Sequence, residues 1–246
     1  MRCLRALLSF FTRIPAGYYS LEEVYSCTHL LPLLGAVEAL IVSTPLLALA
    51  PHPWIAAVLA TILHAAVTGG LHIDGLADYM DAVLAGARGE DARRLMKDPR
   101  LGTGGVLAVT LHTILSVVAL ASLARLQPLQ TLYALLAAYA LAAYSMLLAP
   151  LLGGEEPYRG LASVYHRYAA RNAVRAAPLA ILALTPLLAY NTIPAAASIA
   201  AWLATTYLAA RDAAERLGYI SGDVIGMIYE ASRLAMLTTL ALLTRY

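Results

Sequence analysis

Residues 128–151 read PLQTLYALLAAYALAAYSMLLAPL, a run without a single charged side chain. A helix needs about 20 mostly apolar residues to cross the hydrocarbon core of a bilayer. Six other runs have this character, at residues 29–49, 53–70, 104–124, 174–190, 193–210 and 224–244. The sequence therefore predicts an all-α integral membrane protein, a bundle of about seven transmembrane helices that forms one polytopic domain over residues 1–246.

The composition supports a membrane protein and excludes other classes. Hydrophobic residues make up 61% of the chain and charged residues 13%, whereas an average soluble domain is roughly 45–50% apolar and about 25% charged. The net charge of +2 is too small to indicate a nucleic-acid partner. The two cysteines, Cys3 and Cys27, match neither a disulfide framework nor a metal site, so we expect no role for them.

The basic residues predict the orientation of the bundle. Fourteen fall in four polar segments, 1–28, 71–103, 152–175 and 211–223, which seven spans would place on one side of the membrane: Arg2, Arg5, Arg13, Arg88, Arg93, Arg94, Lys97, Arg100, Arg159, Arg167, Arg171, Arg175, Arg211 and Arg216. Only Arg125 and Arg245 fall on the other side, and Arg233 lies inside the last span. Cytoplasmic loops carry an excess of Lys and Arg. We therefore expect the polar segments, and catalytic stretches at roughly 71–103, 152–173 and 211–223, on the cytoplasmic face of the cell membrane.

The N-terminal segment Met1–Arg13 has a helical apolar stripe formed by Leu4, Leu7, Leu8 and Phe11. With arginines alongside, it predicts a short helix that lies in the membrane interface. The alternative, which the sequence supports equally, is an ordinary helix packed on the bundle.

The stretch 68–81, TGGLHIDGLADYMD, predicts a metal site. On a helix, Asp74, Asp78 and Asp81 fall within about 60° of one another. Ionised carboxylates crowded in this way at a membrane boundary repel each other, and a divalent cation would offset that cost. Hard oxygen ligands on one face suit Mg²⁺, which usually binds together with substrate phosphates. The alternative is a solvated helix face with no ligand.

The stretch 93–105, RRLMKDPRLGTGG, predicts a phosphate-binding segment. Arg94, Lys97 and Arg100 are suited to hold phosphate oxygens. Thr103 and the glycines open the next helix, where free backbone N–H groups favour an anion. The alternative is a basic loop that serves only to set the topology.

The stretch 218–230, GYISGDVIGMIYE, adds two carboxylates seven residues apart, Asp223 and Glu230. Glu230 falls about two turns inside the last span, and an acidic residue there predicts a functional role. The alternative for Glu230 is an ion pair with Arg233 in the same helix.

Other polar residues are weaker candidates. Four of them form a patch that we expect to contact a nucleotide or a headgroup: Tyr165, His166, Arg167 and Tyr168. Four histidines without ligand spacing are predicted to be structural: His29, His52, His64 and His112.

Together with FTRIP at residues 11–15, these stretches resemble the cobalamin synthase family (adenosylcobinamide-GDP ribazoletransferase). The resemblance runs nearly end to end, with the motifs in the family's order. The chain departs from the family's motifs at Tyr79, Ala82, Met227 and Ser221. Residues 153–172 match the family poorly.

The resemblance implies a Mg²⁺-dependent transfer of the adenosylcobinamide-phosphate group from adenosylcobinamide-GDP to α-ribazole or its 5′-phosphate, with release of GMP. It implies Asp74, Asp78 and Asp81 as metal ligands, completed by Asp98, Asp223 and Glu230. One carboxylate, or His72, would be the base. The residues expected to bind substrate phosphates are Arg13, Arg94, Lys97, Arg100, Thr103 and Ser221. The expected partners are the two substrates and the lipid bilayer; a homo-oligomer stays open.

Two rival functions have specific arguments against them. The CDP-alcohol phosphatidyltransferases also group aspartates around an Asp-Gly pair, but their pattern needs an Arg soon afterwards, where this chain has Leu-Ala-Asp. A transporter usually places its ion sites near the midplane, on broken helices in repeated halves. The sequence shows no such repeat, and most acidic residues cluster on one side.

Overall fold

The computed structural model describes residues 1–158 and 161–244, which form helices and connecting turns without a β-strand. The helices of this part of the chain are α1 (Arg2–Phe11), α2 (Leu21–Ser26), α3 (Leu31–Ala48), α4 (Pro53–Thr68), α5 (Leu71–Leu84), α6 (Gly89–Met96), α7 (Thr103–Leu123), α8 (Pro128–Leu152), α9 (Leu161–Tyr190), α10 (Thr192–Leu217) and α11 (Gly222–Leu243). A 3-10 turn, Thr28–Leu30, leads into α3. Arg159 and Arg245, which entered the charge count, lie outside the described residues.

The predicted all-α membrane architecture is confirmed. Six helices are long and apolar enough to span a bilayer, namely α3 with its 3-10 turn and α7 to α11. The seventh candidate is α4 together with α5, which bend by 92° at a short break. The break falls at Gly69 and Gly70, whose φ angles of 64° and 72° lie in the left-handed region that favours glycine. The turn redirects the chain so that α5 carries its aspartates across the end of the bundle.

Two spanning helices extend further than the hydropathy of the sequence predicts. Helix α9 begins at Leu161, whereas the predicted span begins at residue 174, and α10 continues to Leu217 instead of ending at residue 210. Both extensions are rich in Ala and Arg, which favour helix but lower the local hydropathy. The polar segments are therefore largely helical and continue the bundle beyond its apolar part.

Small residues let the helices of the bundle approach closely. Helix α8 is buried along most of its length through alanines such as Ala137, Ala138 and Ala142. At its contact with α3, a Cβ on Gly35 would lie 2.3 Å from the backbone oxygen of Tyr139. Without a hydrophobic drive between apolar helices, such close contact is a main source of stability in a membrane. Large apolar side chains of α7, α9 and α10 instead face outward.

The polar segments meet on one face of the bundle, as predicted. The Arg216 guanidinium donates to the backbone oxygen of Ala87 at 2.9 Å, which joins α10 to the α5–α6 turn. The backbone N–H of Ile220 donates to the oxygen of Gly154 at 3.0 Å, which joins the α10–α11 and α8–α9 connections. These contacts gather three distant polar segments around α5.

The N-terminal helix packs on this polar end of the bundle. Its residues Leu7 and Phe11 are buried in the core, which is the second of the two alternatives considered for this segment. A disulfide joins Cys3 to Cys27, so the expectation that the cysteines have no role is wrong. The physical reason is tertiary, because α1 folds back along α2 and brings the two Cα atoms to 5.2 Å, within disulfide range.

Candidate active site

Helices α5 and α11 cross at two glycines, and this crossing builds the site. A Cβ at Gly75 would lie 2.4 Å from the backbone oxygen of Asp223, and one at Gly226 would lie 3.1 Å from the Cα of His72. A larger side chain at Gly75 would push the two helices apart, and one at Gly226 would require its neighbour to shift slightly. Glycine therefore lets Asp223 reach the acidic face of α5 from the far end of the chain.

Asp78 lies at the centre of the resulting acidic cluster. It is half-buried and interacts with the charges of Asp74, Asp223, Lys97 and Asp81. The Lys97 ammonium donates to Oδ2 of Asp223 at 2.7 Å. Asp78 and Asp223 thus interact with one ammonium, and Asp74 and Asp81 add their charges beside Asp78. The cluster is left with excess negative charge on hard oxygen donors, the chemistry that Mg²⁺ prefers. In residues 1–158 and 161–244, no three His, Cys, Asp or Glu side chains are already grouped to hold a metal ion.

Asp81 has a different environment from the other two aspartates of α5. Its oxygens accept hydrogen bonds from the backbone N–H groups of Gly102 and Gly105, each at 2.8 Å. The anion at the start of α7 is therefore a side chain of the protein itself. This corrects the expectation that those glycine N–H groups are free for a substrate phosphate. Thr103, at the first position of α7, is exposed beside them.

The basic residues of α6 and of the α6–α7 connection form local ion pairs. Both Asp98 oxygens accept from the guanidinium of Arg100, at 2.9 and 2.7 Å, and this pairing lowers the pKa of Asp98 to about 2. The Asp98 carboxylate, expected as a metal ligand, is thus held by a cation. Arg94 is more loosely held, with its guanidinium 3.9 Å from Asp91, and is well exposed.

Lys97 and Glu156 form the rim between this segment and the cluster. Partial burial lowers the pKa of Lys97, but the hydrogen bond and charge of Asp223 outweigh it, so that the pKa lies above its ordinary value. Partial burial raises the pKa of Glu156, which also interacts with the charges of Lys97 and Asp223. Sequence reasoning missed Glu156, although its place in the polar 152–173 segment was an available signal.

Arg13 lies on the opposite rim, at the α4–α5 turn. Its backbone N–H donates to the oxygen of Val67 at 2.7 Å, and a Cβ on Gly69 would lie 2.2 Å from its Nε. Arg13 and Asp74 line the same open cleft of about 700 Å³. Ser221, the other predicted phosphate ligand, is buried, and its side-chain oxygen accepts from the backbone N–H of Val224 and caps α11.

Glu230 lies in a separate, fully buried network inside the bundle. One carboxylate oxygen contacts His64 at 2.9 Å; the other contacts Arg233 at 2.6 Å and His112 at 3.1 Å. Arg233 also donates to the Tyr139 hydroxyl at 3.4 Å. The alternative for Glu230, an ion pair with Arg233, is present, and His64 and His112 contact the same carboxylate.

His72 lines a small cavity beside the acidic cluster. The cavity has a volume of about 140 Å³ and extends from Asp223 to Tyr165. The His72 ring is buried and lies 4.4 Å from the ring centroid of Tyr229. Tyr165 was predicted as part of a surface patch, but it is buried, with its ring 5.3 Å from that of Tyr25.

The fold and site define a multi-pass membrane protein with an acidic cluster and basic groups at one face. Comparison with known proteins shows which family within this class the chain belongs to. The family model for cobalamin-5-phosphate synthase matches residues 3–241. Similar proteins named adenosylcobinamide-GDP ribazoletransferase include one from Pyrobaculum aerophilum, 36% identical over 96% of this chain and 94% of its own, and one from Pyrobaculum calidifontis, 36% identical over 97% and 99%. Another, from Halorubrum lacusprofundi, is 30% identical over 96% and 95%.

No solved structure matches the chain. The family model matches nearly the whole length of this chain, and the chain aligns with nearly the whole length of the relative from Pyrobaculum aerophilum. The chain therefore belongs to the cobalamin-5-phosphate synthase family, and it is a transferase. The resemblance inferred from the sequence motifs is confirmed.

Proposed function

We propose that the protein transfers the adenosylcobinamide-phosphate group from adenosylcobinamide-GDP to α-ribazole or its 5′-phosphate. A ribose hydroxyl of the acceptor attacks the phosphorus that bears the cobinamide arm. The P–O bond to the bridging oxygen breaks, GMP leaves with that oxygen, and the hydroxyl proton passes to a base. The products are adenosylcobalamin, or its 5′-phosphate, and GMP. The relatives' name, adenosylcobinamide-GDP ribazoletransferase, supports adenosylcobinamide-GDP and a ribazole as the substrates.

The observation that carries the proposal is the crossing of α5 and α11. It brings Asp223, which lines the cavity, into contact with the ammonium of Lys97, and it places Asp78 among the charges of Asp74, Asp223 and Lys97. Phosphoryl transfer depends mainly on positioning and on charge stabilisation around the phosphoryl oxygens. A group of carboxylates with an adjacent cation supplies both kinds of charge in one place.

We assign the metal of this reaction, Mg²⁺, to Asp74, Asp78 and Asp223, with Asp81 in support through its fixed position at α7. The donor set fits, because these are hard oxygens and the cluster has excess negative charge. Asp98 and Glu230 are left out, since basic side chains hold their oxygens. When bound, the metal neutralises charge on the diphosphate and on the leaving group.

The remaining roles follow from position around the cluster. Lys97 donates a hydrogen bond to a phosphoryl oxygen of the substrate, and this bond replaces the one that it makes to Asp223 in the free protein. Arg94, Arg100 and Thr103 extend the phosphate site, and Arg13 binds at the cleft that it shares with Asp74. Ser221 acts as the cap of α11. His72 lines the cavity and is a candidate base for the acceptor hydroxyl; the other candidate is a carboxylate of the cluster that does not hold the metal.

We propose that the polar face is cytoplasmic. Most of the basic residues belong to this face, as the positive-inside rule requires of cytoplasmic segments. Seven spans would then place the C-terminus outside. A periplasm-type reporter fused after Tyr246 should be active; activity of a cytoplasm-dependent reporter at the same position would reverse the orientation.

The test is turnover by the detergent-purified protein with adenosylcobinamide-GDP and α-ribazole, in Mg²⁺ and in EDTA. We expect GMP and a complete corrinoid product in equal amounts, only when both substrates and Mg²⁺ are present. Folded protein that makes no corrinoid product from either form of the acceptor would overturn the proposal.

A further inference from the structure

The cavity beside Asp223 has walls of an unusual kind for a site that handles phosphates. Aromatic side chains from three elements surround it, among them Phe11 of α1, Tyr25 of α2 and Tyr165 of α9, and Met146 of α8 completes the wall. Phosphates and a corrinoid amide rim need polar partners, and these walls offer almost none. A flat apolar ring is the ligand that suits aromatic and thioether surfaces.

The hydroxyl of Tyr165 supplies a second observation. The residue is only 4% exposed, and its hydroxyl has no hydrogen-bond partner among the residues that the structure describes. A buried hydroxyl without a partner is costly, and such groups are rare in folded proteins. Tyr165 lines the cavity, so a ligand there with one acceptor atom would satisfy it.

The position of the cavity relates this ligand to the reaction. Asp223, Gly222 and His72 line it on the side of the acidic cluster. A ring bound between Phe11 and Tyr165 would therefore place an attached sugar at Asp223, next to the Lys97 ammonium.

We propose that this cavity is the binding site for the heterocyclic base of the acceptor nucleoside and that Tyr165 is its specificity residue, which donates a hydrogen bond to the free ring nitrogen. This inference rests on the proposed function. A benzimidazole nucleoside has an apolar ring system with one free acceptor nitrogen, which matches apolar walls and one hydroxyl. Guanine, the base of the leaving group, carries several donors and acceptors and would leave most of them unpaired here.

The experiment compares Tyr165→Phe with Tyr190→Phe, an exposed tyrosine at the end of the same helix that does not line the cavity. In Tyr165→Phe we expect the KM for α-ribazole to rise about 10-fold, the value of one hydrogen bond, with the KM for adenosylcobinamide-GDP unchanged. Tyr190→Phe should leave both constants unchanged. A rise in the KM for adenosylcobinamide-GDP instead, or no change in either, would overturn the assignment.

An acceptor analogue gives a second readout that a general structural defect would not produce. The α-riboside of indole has the ring shape of the benzimidazole nucleoside but lacks the free nitrogen. The wild-type protein should prefer α-ribazole over this analogue about 10-fold, and Tyr165→Phe should accept both about equally. An undiminished preference in the variant would assign recognition of the nitrogen to another residue.

A further variant covers the case in which Tyr165→Phe does not fold. Ala162 is buried and lines the same cavity, so Ala162→Val reduces its volume without touching the hydroxyl. We expect it to raise the KM for α-ribazole and not the KM for adenosylcobinamide-GDP; the reverse would contradict the proposal. Wild-type protein that releases no GMP at all would refute the proposed function, whereas turnover with wild-type constants in these variants refutes only the base site.

Discussion

Two acidic sites on α11 lie seven residues apart, and their surroundings are opposite. Glu230 is fully buried and both of its oxygens contact basic partners, His64, His112 and Arg233. Asp223 is partly exposed, has one lysine as its partner and faces the aspartates of α5. Charge that is balanced within the bundle holds helices together. Charge left in excess at its polar end is available for a metal and a substrate.

The largest effect is expected inside the bundle. Glu230→Gln leaves Arg233 buried without its counter-charge and should lower the free energy of unfolding by about 3–5 kcal/mol. Thermal unfolding of the detergent-purified protein measures this, with the exposed Glu22→Gln as the control. Adding Arg233→Met should recover part of the loss, because no unpaired charge then remains. A double variant less stable than Glu230→Gln alone would contradict the ion-pair account.

The second effect concerns the acidic cluster. Asp78→Asn keeps the shape of the side chain but removes the central charge, so turnover should fall by at least about 100-fold. The melting temperature should stay the same or rise, since a repulsion is removed. The matched control is Asp91→Asn in α6, an exposed aspartate away from the cluster. Wild-type turnover in Asp78→Asn would remove the basis of the proposed site.

Lys97→Met tests the role of the basic group beside Asp223. Lys97 is the single lysine of the chain and contacts Asp223. Loss of a charged hydrogen bond to a phosphoryl oxygen should lower kcat/KM by about 10- to 100-fold. Arg211→Met, which breaks an exposed pair with Glu215, is the control and should change little. Equal losses in both variants would mean that general surface charge, and not Lys97, binds the donor.

The smallest effect is expected at the start of α11. Ser221→Ala removes the cap and should lower the free energy of unfolding by about 1 kcal/mol. Thermal unfolding measures the change, and Ser221→Thr, which keeps a capping hydroxyl, should recover most of it. Wild-type stability of Ser221→Ala together with a large loss of turnover would mean that the hydroxyl acts on substrate and not on the helix.

The spans and the family could be predicted from the sequence because both depend on local runs of residues. Hydropathy located the six helices that are long and apolar enough to span a bilayer, and also α4 of the bent pair. It missed the start of α9 and the end of α10, where helix-forming polar residues adjoin the apolar ones. The grouping of Asp74 and Asp78 was also predictable, since helical spacing alone places them on one face.

Partners chosen by tertiary contacts could not be predicted in the same way. The motif that contains Asp81 does not reveal that the glycines of α7 occupy its oxygens. Likewise, the spacing of Cys3 and Cys27 carries no information about the turn that joins them, and no pattern distinguishes the buried Tyr165 from the exposed Arg167 two residues later. Each of these depends on which helix lies opposite, which local sequence does not specify.

The most direct test compares the acidic cluster at the polar end with the buried network of Glu230. It measures the rate of Mg²⁺-dependent GMP release per folded molecule in Asp78→Asn and Glu230→Gln, at a temperature where both variants are folded. The account predicts a loss of at least about 100-fold in Asp78→Asn and a rate near that of the wild type in Glu230→Gln. A near-normal rate in Asp78→Asn with a large loss in Glu230→Gln would contradict it, and would move the chemistry from the polar face into the bundle.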